Sequence, residues 1–154
     1  MVTFVAVFVA VTGYTDVKLP KRGTQKSAGY DFYSREDVTI LPGASHTFDT
    51  GVKVYMRDNV VLNIYPRSSI GFKKELMLKN TVSVIDADYV DNPKNEGNIF
   101  IAYYNYGSIE QHIAIGDAIA QGIFTQYLLT DDDVAMAIRT GGIGSTDAEV
   151  SNAK

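Results

Sequence analysis

Apolar residues recur along most of this chain in short runs, each closed by residues that favour turns. Val38-Thr39-Ile40-Leu41 meets Pro42-Gly43, Thr47-Phe48-Asp49-Thr50 meets Gly51, residues 52–56 meet Arg57-Asp58-Asn59, and residues 60–65 run into Pro66. Further runs occupy residues 82–85, 99–104, 112–115 and 118–127. Short runs of this kind, spaced by turn residues, predict an all-β sandwich or barrel. The first run, residues 2–11, is dominated by Val and Phe and predicts a buried strand. It is too short to cross a bilayer, which takes ~20 helical residues. No basic flank precedes it and no small-residue cleavage site follows. Only residues 69–78 and 131–138 carry a helical pattern, and the second opens on Asp131, Asp132 and Asp133, where a helix start favours negative charge. No internal repeat and no long linker divides the chain. From Thr140 onward Gly and small polar residues prevail. Such a tail is expected to be mobile in isolation, either as a dispensable end or as a segment that orders on a ligand.

With 154 residues the chain suits one domain with a sizeable core. Its 45% hydrophobic and 21% charged residues are the balance of a soluble globular protein. The absence of Cys excludes disulfides and thiolate metal sites, and two His, His46 and His112, are too few for a His-rich zinc site. A reducing intracellular compartment is compatible with this. The formal charge of −4 argues against duplex nucleic acid as a partner. It leaves a nucleotide open, because a few Arg residues and a divalent cation can neutralise one polyphosphate.

Five segments carry candidate chemistry. They are Ser27-Ala28-Gly29-Tyr30-Asp31, Pro66-Arg67-Ser68-Ser69-Ile70-Gly71, residues 80–89 with Val84-Ile85-Asp86-Ala87-Asp88-Tyr89, Gly116-Asp117-Ala118-Ile119-Ala120-Gln121, and Arg139-Thr140-Gly141-Gly142-Ile143-Gly144-Ser145-Thr146. Each alone has an ordinary reading as a turn, strand end, capped helical turn or loose tail. An acidic residue at the tip of a β-hairpin beside apolar neighbours is nonetheless well placed to take a proton from water. Arg67 with Ser68 and Ser69 offers charged and hydroxyl donors suited to phosphate oxygens. The glycines of the last segment let backbone N–H groups approach a phosphate, and Arg139 adds charge. The last segment has no P-loop Lys, so Walker-type ATP binding fits poorly. Two Arg-bearing anion sites plus carboxylates point to a polyphosphate substrate with Mg²⁺, an ion that keeps several waters.

In this order and spacing the five segments resemble the motifs of the trimeric dUTPase (dUTP diphosphatase) family, of phage or bacterial type, over about residues 18–147. The resemblance implies a distorted jelly-roll β-barrel over residues 1–138 with one short helix. Residues 139–154 would be a flexible tail that closes a neighbouring subunit's site. It implies a cytoplasmic homotrimer that hydrolyses dUTP to dUMP and pyrophosphate with Mg²⁺, the ion held mainly by substrate phosphates and water rather than by protein ligands. That reaction limits uracil in DNA and supplies dUMP. By position, Asp86 would orient and deprotonate the attacking water and accept the deoxyribose 3′-OH. Tyr89 would lie under the sugar and leave no room for a 2′-OH. The backbone of residues 80–86, from Asn80 onward, would read the uracil edge. Arg67, Ser68, Ser69 and Gln121 would hold phosphates. Arg139, Gly144, Ser145 and Thr146 would close over them, Ile143 would cover the base, and Asp31 would support the site. The chain departs from the family pattern at Ser83, in the 91–96 loop, at Ile143 and at Asp147. Two rival classes are a dCTP deaminase on a related fold and a non-enzymatic jelly roll or regulatory binder. An additional protein partner is compatible with either enzyme reading.

Overall fold

The computed structural model describes residues 5–150. Its strands run in the order β1 (Ala6–Ala10), β2 (Lys21–Arg22), β3 (Tyr30–Tyr33), β4 (Val38–Ile40), β5 (Ser45–Asp49), β6 (Val52–Met56) and β7 (Val60–Pro66). Helix α1 (Ser68–Lys74) follows, then β8 (Leu76–Leu78), β9 (Ser83–Ile85), β10 (Phe100–Asn105), β11 (Gln111–Ile113), β12 (Ala118–Gln126) and a terminal helix α2 (Ser145–Val150). All strand pairs are antiparallel. The largest sheet has the order β2-β3-β12-β7-β9; β5-β10-β8, β1-β6 and β11-β4 complete the barrel. No helix among the described residues is long and apolar enough to cross a membrane.

Alternation builds the core. On β7, Val60, Leu62 and Ile64 point inward while the residues between them are half-buried. They meet Phe32 of β3, Ile119 and Ala120 of β12, and Ile101 and Tyr103 of β10. Each large side chain fully buried in this way contributes about 1.5–3 kcal/mol. Tyr103 keeps its polar tip satisfied, its hydroxyl donating to the Ile119 carbonyl at 2.8 Å.

Three expectations are corrected. The apolar run at residues 2–11 does form a strand, but an incompletely buried one: Val5 and Val7 are exposed, while Phe8 packs on Tyr30, Phe32 and Phe124. Residues 1–4 lie outside the described residues. The helix expected over 69–78 stops at Lys74, because Glu75 takes a left-handed φ of 51° and residues 76–78 pair with β10 instead. Residues 131–138 are not helical. They are exposed, so the cost of nucleating a helix is not offset by packing an apolar face.

The sheet order positions the chemistry. β12 lies between β3 and β7 with Gln121 opposite both Asp31 and Tyr65, so the end of β7 delivers Arg67 beside Asp31 and Gln121. On the far edge, β9 pairs with β7 in the register Ile85↔Leu62 and ends at Ile85, immediately before Asp86.

Candidate functional site

Two clefts hold the candidate residues. The first, of about 550 Å³, lies at the mouth of β3, β12 and β7 and is lined by Arg67, Ser68, Ser69, Asp31 and Gln121, with Lys73 of α1 beside them. Arg67 Nε sits 3.4 Å from Asp31 Oδ1, and Gln121 Nε2 donates to the Pro66 carbonyl at 3.2 Å. Gln121 rests against Gly29, where a Cβ would stand 2.4 Å from its Oε1, so only glycine leaves the amide in place. Ser68 and Ser69 are exposed. The cleft therefore presents a guanidinium, an ammonium, two hydroxyls and an amide to one space, a donor set suited to a polyanion.

The second cleft, about 240 Å³, lies at the β9 edge. That is small for a whole nucleoside triphosphate. Asn80, Asp86, Tyr89, Arg139, Ile143, Gly144 and Thr146 line it, together with Ser83 and Phe100. Ser145 is buried beside it, its hydroxyl donating to the Gly141 carbonyl at 2.9 Å. β8 and β9 pair with different partners, so residues 79–82 connect two sheets and residues 80–86 are a turn plus the edge strand β9, not the expected β-hairpin. The turn is closed by the Asn80 amide and the Ser83 hydroxyl at 3.0 Å. Asp86 follows the edge strand and opens a 3₁₀ turn over Ala87–Tyr89, with Tyr89 N–H donating to the Asp86 carbonyl at 3.1 Å.

The Tyr89 ring is buried, and burial pushes its phenol above the ordinary range. Its hydroxyl donates to the Asn98 carbonyl at 2.8 Å and accepts from Asn95 Nδ2 at 2.8 Å. Arg139 docks the tail onto this wall. Its Nη2 lies 2.7 Å from Asp86 Oδ2 and its Nε 2.8 Å from Asp88 Oδ1. Its guanidinium stands 5.8 Å from the Tyr89 ring centre. The Asp86 carboxylate is half-exposed and open to solvent beyond this one pair.

The clefts share no lining residue. The structure thus gathers the candidates into two groups. Asp31, Arg67, Ser68, Ser69 and Gln121 form one; Asn80, Asp86, Tyr89 and residues 139–146 of the tail form the other. Lys73, Phe100, Asp88 as an ion-pair partner, and the Asn92-Asn95-Asn98 cluster behind Tyr89 join the site beyond the residues that the motifs mark, and Ser83, marked only as a departure from the family pattern, lines the cleft itself. Asp88 falls within the Asp86–Tyr89 motif; the asparagines carry no periodic or motif signal.

A β-barrel of this topology, with an Asp-x-x-Tyr turn facing a Gly-rich tail, is that of nucleotide pyrophosphohydrolases of one family. The dUTPase family model matches residues 15–146, and the chain belongs to that family. It is 43% identical over 145 residues to the deoxyuridine 5′-triphosphate nucleotidohydrolase of Lactococcus lactis subsp. lactis (strain IL1403), spanning 92% of this chain and 97% of that protein. The crystal structure of dUTPase from Streptococcus mutans is similar with a TM-score of 0.76 and 44% identity, over 80% of this chain and 98% of that one. The Staphylococcus bacteriophage 80alpha dUTPase shares the fold at 19% identity, with a TM-score of 0.70 over 86% of this chain and 97% of that one.

Proposed function

We propose that this protein hydrolyses dUTP to dUMP and pyrophosphate, with Asp86 as the general base. The observation that carries the reading is the position of the Asp86 carboxylate. It is solvent-accessible, stands beside the buried Tyr89 ring, and faces the Arg139-bearing tail. Asp86 takes a proton from water as the water oxygen bonds to the α-phosphorus. The bond from the α-phosphorus to the α,β-bridging oxygen breaks, and pyrophosphate leaves. Tyr89 forms the floor under the deoxyribose, and the turn from Asn80 to Asp86 supplies the base-reading backbone, with Ser83 adding a hydroxyl.

The triphosphate needs more room and more positive charge than the second cleft provides. The first cleft supplies both, through Arg67, Ser68, Ser69, Gln121 and Lys73, with Asp31 orienting Arg67. Because the two clefts share no residue, a complete site combines the first cleft of one copy with the second cleft of another in a homotrimer. Residues 127–138 favour this. Leu128, Leu129, Val134, Met136 and Ile138 are all more than two-thirds exposed in the single chain, an apolar surface that a neighbour would cover. Residues 1–138 then act as the barrel and residues 139–154 as the tail, and residues 139–145 make on a neighbour the docking that they make here on their own chain. Arg139 passes from the carboxylates of Asp86 and Asp88 to the phosphates, with Gly144, Ser145 and Thr146 enclosing them and Ile143 covering the base.

Among the described residues no three His, Asp or Glu side chains gather as a metal cage. The hydroxyl and amide oxygens of the first cleft suit an Mg²⁺ ion that rides on substrate oxygens and water. Bound in that way, Mg²⁺ would neutralise charge on the phosphates. A substrate drawn from the deoxynucleotide pool puts the enzyme in the cytoplasm, the host's if a phage encodes it.

The test is pyrophosphate release from a panel of deoxynucleoside triphosphates and UTP with Mg²⁺, beside light scattering of the same sample. Turnover of dUTP alone by a trimer is expected. Ammonia release from dCTP, or no turnover of dUTP, would overturn the reading.

A further inference from the structure

The loop at residues 90–97 lies behind the candidate site and is held by a dense set of side-chain hydrogen bonds. Lys53 of β6, a buried lysine, holds both ends, its Nζ lying 2.7 Å from Asp91 Oδ1 and 2.7 Å from Glu96 Oε1. Burial alone would lower the Lys53 pKa, but the hydrogen bonds to these two carboxylates more than offset it and raise it. Tyr55 adds a bond to Asp91, and Thr12 adds one to Glu96. Asp91 and Glu96 hold left-handed φ values of 56° and 61°. Such values persist in non-glycine residues only where the surroundings over-determine them.

Within this frame Asn95 is fixed at every polar atom. Its Oδ1 accepts from Asn92 Nδ2 at 2.6 Å and from Gly97 N–H at 3.1 Å, and its Nδ2 donates to the Tyr89 hydroxyl at 2.8 Å. Asn92 in turn donates to the Tyr89 carbonyl at 2.8 Å. The far side of the Asn95 amide meets the tail. A Cβ added to the buried Gly142 would lie 2.9 Å from Asn95 Nδ2, closer than real Cβ atoms come. The amide cannot step aside without giving up a bond that fixes Tyr89.

We infer that Asn95 is a positioning residue that couples docking of the Gly141-Gly142 stretch of the tail to the orientation of the Tyr89 ring, and so to sugar discrimination. The inference rests on the proposed role of Tyr89 as the floor of the deoxyribose site. It gives the 90–97 loop a purpose: a braced platform that reads the tail's backbone on one side and sets the ring on the other. It also explains why the tail carries glycine where it crosses the platform.

The experiment uses the full-length protein and the ratio of kcat/KM for dUTP to that for UTP. Asn95→Ala is expected to lower that ratio about three- to tenfold, the range set by one neutral hydrogen bond. Tyr89→Phe, which removes the hydroxyl that Asn95 holds, is expected to do the same, and the double variant to lose no more than either single one. Gly142→Ala is expected to lower the ratio in the parent and to do less harm in the Asn95→Ala background, where truncation leaves room for the methyl. Gly142 lies on the tail, so its effect in the parent is readable even if Asn95→Ala fails to fold, and an unchanged ratio in Gly142→Ala alone would also overturn the inference. A second readout needs no turnover. Trypsin cleavage after Arg139, followed by mass spectrometry, is expected to be suppressed by Mg²⁺ with a non-hydrolysable α,β-imido analogue of dUTP in the parent, and restored in Asn95→Ala. An unchanged ratio in Asn95→Ala or in Tyr89→Phe would overturn the inference. So would additive losses in the double variant, or equal harm from Gly142→Ala in both backgrounds. A parent that does not hydrolyse dUTP would instead sink the proposed function, and the inference with it.

Discussion

Replacing Asp86 by Asn isolates the proton transfer from everything else that the residue does. The amide has nearly the volume of the carboxylate, and its Oδ1 can still accept from Arg139 Nη2, which lies 2.7 Å from Asp86 Oδ2 in the parent. What disappears is a basic oxygen facing the solvent side of the cleft. A positioned general base contributes typically 10²–10⁴ in rate, which corresponds to roughly 3–5 kcal/mol of barrier at 1.36 kcal/mol per tenfold. Stability should hardly move. The Asp86 side chain is 55% exposed, and ion pairs so open to water are worth about 0–1 kcal/mol. For a chain of this size such a loss shifts the melting temperature by at most roughly 2–4 °C. The assay pairs steady-state pyrophosphate release with calorimetric binding of dUTP and a thermal melt. Asp86→Asn should lose on the order of 10²–10⁴ in kcat and keep its affinity within a few-fold and its melt nearly unchanged. A folded variant that retains kcat within tenfold of the parent would refute the assignment of Asp86 as the base. Loss of binding in step with kcat would assign the residue to substrate binding instead.

Deleting residues 139–154 should cost orders of magnitude in turnover yet leave the circular-dichroism melt of the barrel in place, because in this segment the described buried residues are two glycines and Ser145; normal hydrolysis by the truncated protein would exclude the tail from the site. Ile143 stands 77% exposed at the cleft rim. With base stacking worth ~1–3 kcal/mol, Ile143→Phe should lower the KM for dUTP several-fold and Ile143→Gly should raise it, and identical kinetics for all three proteins would leave the base uncovered. Lys53 hydrogen bonds hold the carboxyls of Asp91 and Glu96 below the usual carboxylate range, with Tyr55 and Thr12 assisting in turn. That stabilisation is present above the unfolded carboxylate values of ~4 and fades as pH falls through the lowered folded ones. Urea midpoints from neutral to acid pH should therefore fall less steeply in Lys53→Met than in the parent, and parallel curves would contradict the network.

The strands most legible in the sequence are those whose own side chains carry the burial pattern. β6 and β12 are read nearly to the residue, because valine, isoleucine and phenylalanine alternate or run continuously there. β3 is less legible: Asp31 interrupts its aromatic run, and that residue is kept in the sheet by its pairing with Gln121, a contact 90 positions away. β8 hides inside an amphipathic stretch and becomes a strand only because β10 accepts it. Residues 131–138 show the opposite failure, with acidic residues suited to a helix start but no surface of the same chain to pack on. For the site, the motif residues could be read as types and not as neighbours. Arg67 follows the end of β7 and Asp86 the end of β9, its antiparallel neighbour, so the two leave the sheet at opposite ends, and that pairing is long-range and recorded in no local pattern. Asn95 was invisible for a different reason. A polar residue in a loop has no periodicity, and its importance comes from the hydroxyl and the glycine on either side of it.

The partition of the binding groups between two clefts with no common residue has a genetic consequence. Asp86→Asn damages only the β9-edge cleft, and Arg67→Ala only the cleft at the mouth of β7. If each working site draws one cleft from each of two adjacent copies, two inactive polypeptides can complement one another. In a ring of three, any mixed assembly contains a single junction at which an intact edge cleft meets an intact mouth cleft, and a single junction at which both are damaged. Unfolding and refolding the two inactive proteins together should therefore restore part of the dUTP turnover. Refolding each alone should restore none, and a lasting absence of activity in the mixture would mean that each chain completes its own site.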